Sequence, residues 1–159
     1  MILSRSADYA LRALIYLAQA SGEQPVPLER IASEQRIPAA LLSKILQALV
    51  KAEVLRSHRG YGGGFVLVAD PAALTIDVVI QAIDGPFTVF ECMEDEHFCH
   101  LCSSCKLRTK LFELQAAMIG VLRGVTIADC VPDATGAPRR PLPTVVGPEP
   151  GRRGLGPIG

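Results

Sequence analysis

Between residues 59 and 64 the chain reads Arg-Gly-Tyr-Gly-Gly-Gly. No helix continues comfortably through such a run, because each glycine costs about 1 kcal/mol relative to alanine in a helix interior. The flanking segments, Val54 to Ser57 and Phe65 to Val68, are short and apolar or alternating, which predicts two strands joined by a flexible hairpin loop. What precedes the hairpin has helical spacing. Ser6 can cap a helix with an apolar face of Ala7, Leu11, Leu14, Ile15 and Ala18, ended by Gly22 and Pro25. Pro27 suits the first turn of a short helix through Leu28, Ile31 and Ala32. Arg36-Ile37 makes a tight turn, and Pro38 opens a third helix with Leu42, Ile45, Leu46 and Leu49 facing inward. Two helices joined by a tight turn and followed by a hairpin describe a winged helix-turn-helix.

The second half is also mainly helical. Thr75 can cap a helix from Ile76 to Ile83, stopped by Gly85-Pro86. Leu107, Leu111, Leu114, Met118, Val121 and Val125 recur at alternating intervals of four and three, a heptad seam on one long helix. Residues 136–159 hold six glycines and six prolines. Such a segment buries too little side chain to offset its ordering entropy, so a disordered tail is expected.

Composition narrows the function classes. The 159 residues allow one domain, or a small domain with an appendage. Lys+Arg and Asp+Glu both number 16, which excludes a globally basic nucleic-acid coat. The charge is segregated, however. Residues 1–70 carry eight basic and six acidic side chains, residues 71–135 four and nine, and residues 136–159 four and one. The first and last segments favour an anion. No apolar run approaches the roughly 20 residues that span a bilayer. Asp8 and Arg12 interrupt the apolar stretch before Ala18-Gln19-Ala20, so no export signal is expected there. No Ser-His-Asp order, phosphate-binding loop or clustered general base points to an enzyme.

The third helix is the one a winged helix lays in the major groove. Its solvent face carries Ala40, Leu41, Ser43, Lys44, Gln47 and Lys51. Gln47 can read a base edge bidentately, Ser43 can touch base or phosphate, and Lys44 and Lys51 neutralise phosphate. On the wing stand Arg56, Ser57, His58 and Arg59, followed by Gly60. Arg59 is the natural probe of a narrow minor groove, where negative potential concentrates.

Four of the five cysteines crowd into one stretch, Cys92, Cys99, Cys102 and Cys105, spaced C-x6-C-x2-C-x2-C. The odd count and the crowding argue against a secreted disulfide framework and for a metal or redox site in a reducing cytosol. Glu91, Glu94, Asp95 and Glu96 oppose thiolate formation, so a metal must stabilise it. The spacing approaches a bacterial ferredoxin run, but Thr109 stands where its fourth cysteine belongs. The paired knuckles of a zinc ribbon are missing as well. An iron–sulfur cluster, a zinc site and a redox pair all remain open on spacing alone. His97 and His100 are candidate extra ligands, and Cys130 stands apart.

Taken together, these constellations resemble the Rrf-two family of bacterial transcription regulators, with its IscR, NsrR and RirA branches. The carrying residues are Asp8-Tyr9-Ala10-Leu11-Arg12, Leu42-Ser43-Lys44-Ile45-Leu46, the wing Ser57-x-Arg59-Gly60-x-Gly62-Gly63-Gly64-Phe65, and Cys92, Cys99 and Cys105. The resemblance runs from residue 1 to about residue 130. It implies a homodimer on a double-stranded DNA operator and divides the chain four ways. Residues 1–85 form a winged helix-turn-helix DNA-binding domain, 86–106 a cluster-binding loop, 107–130 a dimerisation helix and 131–159 a disordered tail. It also implies a cluster held by Cys92, Cys99 and Cys105 with one non-cysteine ligand. In the IscR branch that ligand is a histidine three residues after the last cysteine; here Arg108 occupies the place. In the NsrR branch it is an aspartate in the partner's first helix, which corresponds to Asp8.

Two departures stand out. Cys102 is an extra thiol that could replace a ligand or resolve a disulfide. Glu53 stands where the family usually has glycine, at a cost on the order of 1 kcal/mol if the residue is left-handed. The expectation is a cytoplasmic cluster-switched repressor, with [4Fe–4S] favoured over [2Fe–2S]. A cluster-free thiol-redox or zinc-stabilised regulator of the same fold is the alternative.

Overall fold

The computed structural model describes residues 3–20, 24–93, 95, 97, 99–101 and 104–132. Within them the order is α1 (Arg5–Gln19), α2 (Leu28–Gln35), α3 (Ala39–Lys51), β1 (Leu55–His58), β2 (Gly64–Leu67), α4 (Ile76–Asp84), a single 3-10 turn (Glu91–Met93), α5 (Lys106–Arg123) and α6 (Ile127–Cys130). Cys102, Glu94, Glu96 and the expected tail beyond residue 132 lie outside the described residues, as do Gly22 and Glu23.

α1 is the centre of the head. It packs on α2, α3, α4 and α6, and Ala7, Ala10, Ala13, Leu14 and Leu17 are buried along it. The expected face was narrower and rotated, since Leu11, Ile15 and Ala18 are only half-buried. The alanines explain the shift: small side chains let neighbouring helices approach on a second side. The cap also differs. Ser4, not Ser6, closes the helix, and its hydroxyl accepts from the Ala7 N–H (3.0 Å) while donating to the Asp84 carboxylate (2.6 Å). That second bond lies 80 residues away, so only tertiary structure could choose between the two serines.

α2 and α3 follow their prolines. Pro27 and Pro38 are N-caps, and the link between the helices passes through Arg36 in the left-handed region at φ 53°. Leu42, Ile45, Leu46 and Leu49 are buried as expected. β1 and β2 pair antiparallel with Leu55 opposite Leu67 and His58 opposite Gly64. Each strand sits one residue from its expected place, because the Val54 carbonyl is used by the N–H groups of Val68 and Ala69. Val26 adds a bridge to Phe65 on the outer edge. Glycine is required at residue 64, since a Cβ there would stand 2.3 Å from the Val26 carbonyl oxygen.

The helix expected over 107–130 stops earlier. α5 ends at Arg123, and the chain returns to the head. Thr126 bridges Thr75, the Ile127 N–H donates to the Leu74 carbonyl (2.8 Å), and Ile127 is fully buried. A reciprocal capping box between Thr126 and Asp129 opens the short α6. α5 leans on α4 and on the 3-10 turn, yet it has no buried residue of its own. The expected seam, whose last member Val125 lies beyond the end of α5, divides into two rows. Leu111, Met118 and Val125 are half-buried, whereas Leu107, Leu114 and Val121 are exposed.

Candidate nucleic-acid interface and cysteine loop

The rules of helix and hairpin geometry put the candidate DNA-reading residues on one side of the head. Lys44, Gln47 and Lys51 project from α3 into solvent, with Ser43 half-buried beside them. Arg56, His58, Arg59 and Gly60 are exposed on the wing. An open groove of about 300 Å³ runs between the two. Gln47 lines it from α3, His58, Arg59 and Gly60 line it from the wing, and Pro27, Leu28 and Glu29 close it at the start of α2. Gln47 and Arg59 therefore share a surface, although 12 positions separate them in sequence. Arg56 does not join them: it lines a second depression of about 420 Å³ with Val50, Glu53, Leu55, Ser57 and Val68.

Glu29 was not foreseen in the groove. Nothing local marks it, because its place there depends on α2 meeting the wing. Arg12, which the sequence offers as a break in an apolar run and as part of the first-helix resemblance, has a structural role that neither reading states. Its guanidinium bonds the Gln35 carbonyl at the helix-turn-helix corner, lies 5.6 Å from the Tyr9 ring centroid and pairs with Asp8 at 3.6 Å. Asp8 itself is 59% exposed in the first turn of α1.

The cysteine loop is anchored at its start by α5, where the Gln115 side chain accepts from the Val89 N–H at 3.0 Å. Cys92 lies in the 3-10 turn, Cys99 follows in the loop, and Cys105 is the N-cap of α5. All three are half-buried free thiols. Among the described residues no three His, Cys, Asp or Glu side chains are gathered closely enough to hold a metal. The donor chemistry of three free thiols fits a thiolate-bound group, although the described residues do not bring a ligand set together. His97 and His100 are exposed. Cys130 is apart from this loop, and burial followed by the Asp129 carboxylate pushes its thiol up.

A basic helix face and an arginine-bearing hairpin flanking one groove define a winged helix-turn-helix DNA-binding regulator. The chain belongs to the Rrf2 family, described as an iron-dependent transcriptional regulator, which matches residues 3–133. It is 35% identical over 132 residues to the protein aau3 of Rhizobium meliloti, covering 82% of this chain and 85% of that one. It is 32% identical to the HTH-type transcriptional regulator NsrR of Geobacillus kaustophilus, covering 84% and 91%. Among solved structures it is similar to CymR, the global cysteine regulator of B. subtilis, with a TM-score of 0.68 and 28% identity over 82% of this chain and 96% of that one. The family is one of transcriptional regulators rather than enzymes. Among the described residues no helix is long and apolar enough to cross a membrane.

Proposed function

We propose that this chain is a homodimeric, iron–sulfur-dependent transcriptional repressor whose operator affinity follows the state of its cysteine loop. The observation that carries the DNA-binding part is the shared groove of Gln47, His58 and Arg59. In this reading α3 enters the major groove, Gln47 reads a base edge, and Ser43, Lys44 and Lys51 hold phosphates. The wing follows the backbone into the adjoining minor groove, with Arg59 and Gly60 at its floor and Arg56 and His58 toward the phosphates.

The sensing part rests on the half-buried thiols of Cys92, Cys99 and Cys105 and on the exposed carboxylate of Asp8. Three thiolates and Asp8 of the partner subunit make up the ligand set we favour for a [4Fe–4S] group, with [2Fe–2S] as the smaller alternative and Cys102 as a substitute ligand. When bound, such a cluster supplies a centre sensitive to iron supply, oxidant and nitric oxide. Because Asp8 lies one turn before Arg12, and Arg12 holds the helix-turn-helix corner, a carboxylate engaged across the dimer is coupled to the reading head of its own chain. Two half-sites about one helical turn apart tolerate little rotation of the heads.

The test is anaerobic purification followed by iron and sulfide analysis. The expected protein is brown, and alanine at Cys92, Cys99 and Cys105 together leaves it colourless; a brown triple variant sinks the ligand set. Arg59→Ala is expected to weaken binding and to lower the slope of log affinity against log salt by about one phosphate contact.

A cluster-free thiol sensor or zinc-stabilised regulator is the second reading. It is favoured by the separation of the described ligands in one protomer and by the likeness to a cysteine regulator. Such a protein binds its operator equally with and without iron, and the thiol sensor changes mobility on a non-reducing gel.

A further inference from the structure

The wing ends in a four-residue turn, Gly60 to Gly63, closed by a bond from the Gly63 N–H to the Gly60 carbonyl (2.9 Å). Gly62, at the third position, has φ 76°, the left-handed value that a type II turn demands there. Tyr61 occupies the second position and is 112% exposed, more open than in an extended reference peptide. A Cβ added at either Gly60 or Gly62 would meet nothing within 4 Å, so the tip stands clear of the fold. An aromatic ring held fully in water contributes nothing to the core, and the turn geometry does not require one.

The surroundings specify what the ring meets. From Val54 to Ala69 the chain carries Arg56, His58 and Arg59 and not one acidic residue. The tip is therefore the end of a cationic hairpin, and that hairpin borders the groove lined by Gln47. An uncharged ring at the apex of a cationic loop is suited to a polyanion whose interior walls are apolar. Deoxyribose walls flanking a minor groove have that character.

We propose that Tyr61 is a minor-groove contact, its ring packed against deoxyribose beyond the reach of Arg59. This rests on the operator-binding reading above. Tyr61 supplies contact area and groove-shape preference, and Arg59 supplies charge. The two contributions separate by salt, because a ring neutralises no phosphate and releases no counterion.

The experiment uses full-length, anaerobically purified protein and a 30-base-pair duplex selected by that protein from a random library. Tyr61→Ala is expected to weaken binding about tenfold with the salt slope of the wild type. Tyr61→Phe retains wild-type affinity. Arg59→Ala, measured alongside, lowers the slope. Wild-type affinity in Tyr61→Ala while Arg59→Ala still lowers the slope overturns the Tyr61 contact and leaves the operator reading standing. A loss in Tyr61→Phe equal to that in Tyr61→Ala also overturns it, since the hydroxyl and not the ring would then carry the contact. Failure of the wild type to select any duplex sinks the operator reading itself. Both Tyr61 variants should melt with the wild type, because the residue packs on nothing.

Discussion

In α3 the inward apolar side chains are all buried, and Leu42, Leu46 and Leu49 are fully so; in α5, which is five residues longer, none is. The head closes its own core around α1, and α6 returns from the far end of α5 to complete it. The arm made of the cysteine loop and α5 leaves Leu107, Leu114 and Val121, each seven residues from the next, open to water. Half-buried thiols sit at its start. Apolar rows at heptad spacing are what a second helix covers. The contrast teaches that one chain suffices to form the head, whereas in the proposed homodimer the arm is completed by association.

The largest expected effect breaks the head. Leu46→Ala removes a side chain with no exposure and should cost about 2–5 kcal/mol, read as a lower midpoint in urea. The same truncation on the arm, Leu114→Ala, should cost under about 0.5 kcal/mol in dilute protein, since Leu114 is 47% exposed. Its effect should appear instead in sedimentation, as dissociation of dimer at lower dilution than the wild type. Equal losses from the two substitutions in dilute protein would erase the distinction between head and arm.

The sequence made the head legible because its signals are local. Prolines at 27 and 38 open two helices, and the inward spacing of α3 follows directly from 3.6-residue periodicity. The glycine run located the hairpin to within one residue. What escaped was long-range. The choice of Ser4 over Ser6 depends on Asp84, and the place of Glu29 in the groove depends on the wing. The end of α5 was readable, with Gly124 followed by Thr126-x-x-Asp129, but the heptad seam ran through Val125 and masked it. Of the site, residue types were legible and assembly was not: periodicity exposes Lys44 and Gln47, yet no spacing rule states which thiols approach one another.

The joint between head and arm gives a smaller, pH-dependent effect. Asp77 is buried at the start of α4, accepting from the Thr75 hydroxyl and from Arg123 Nε (3.1 Å) at the end of α5. Burial by itself raises its pKa from the ordinary 3.8, but the bonds from Thr75, Arg123 and the Val78 N–H outweigh it and the net shift is downward. A carboxyl whose folded pKa is depressed contributes stability above its unfolded pKa and loses it as pH falls through the folded value. Asp77→Asn should therefore cost about 1–2 kcal/mol near neutral pH, moderated because Arg123 is 66% exposed. The difference from the wild type should shrink below pH 3.8 and close further down. A difference that stays constant to low pH would mean that the Asp77 charge does not tie arm to head.

A smaller effect than that at Asp77 lies inside the head and has the opposite sign. Glu53 follows α3 with φ 59°, and its N–H donates to the Val50 carbonyl (3.1 Å) while that of Val54 donates to Leu49 (3.0 Å). This is a left-handed helix end, the conformation glycine adopts without a Cβ penalty. A non-glycine residue there costs roughly 1–2 kcal/mol, and replacing it with glycine forfeits part of that gain through the greater freedom of the unfolded chain. Glu53→Gly should accordingly stabilise the protein by about 0.5–1 kcal/mol, seen as a higher urea midpoint with an unchanged slope. Removing the carboxylate beside Arg56 should also raise affinity for DNA at low salt, because both residues line the same depression on the wing. A destabilised Glu53→Gly would show that the strain at this corner is offset by the glutamate side chain itself.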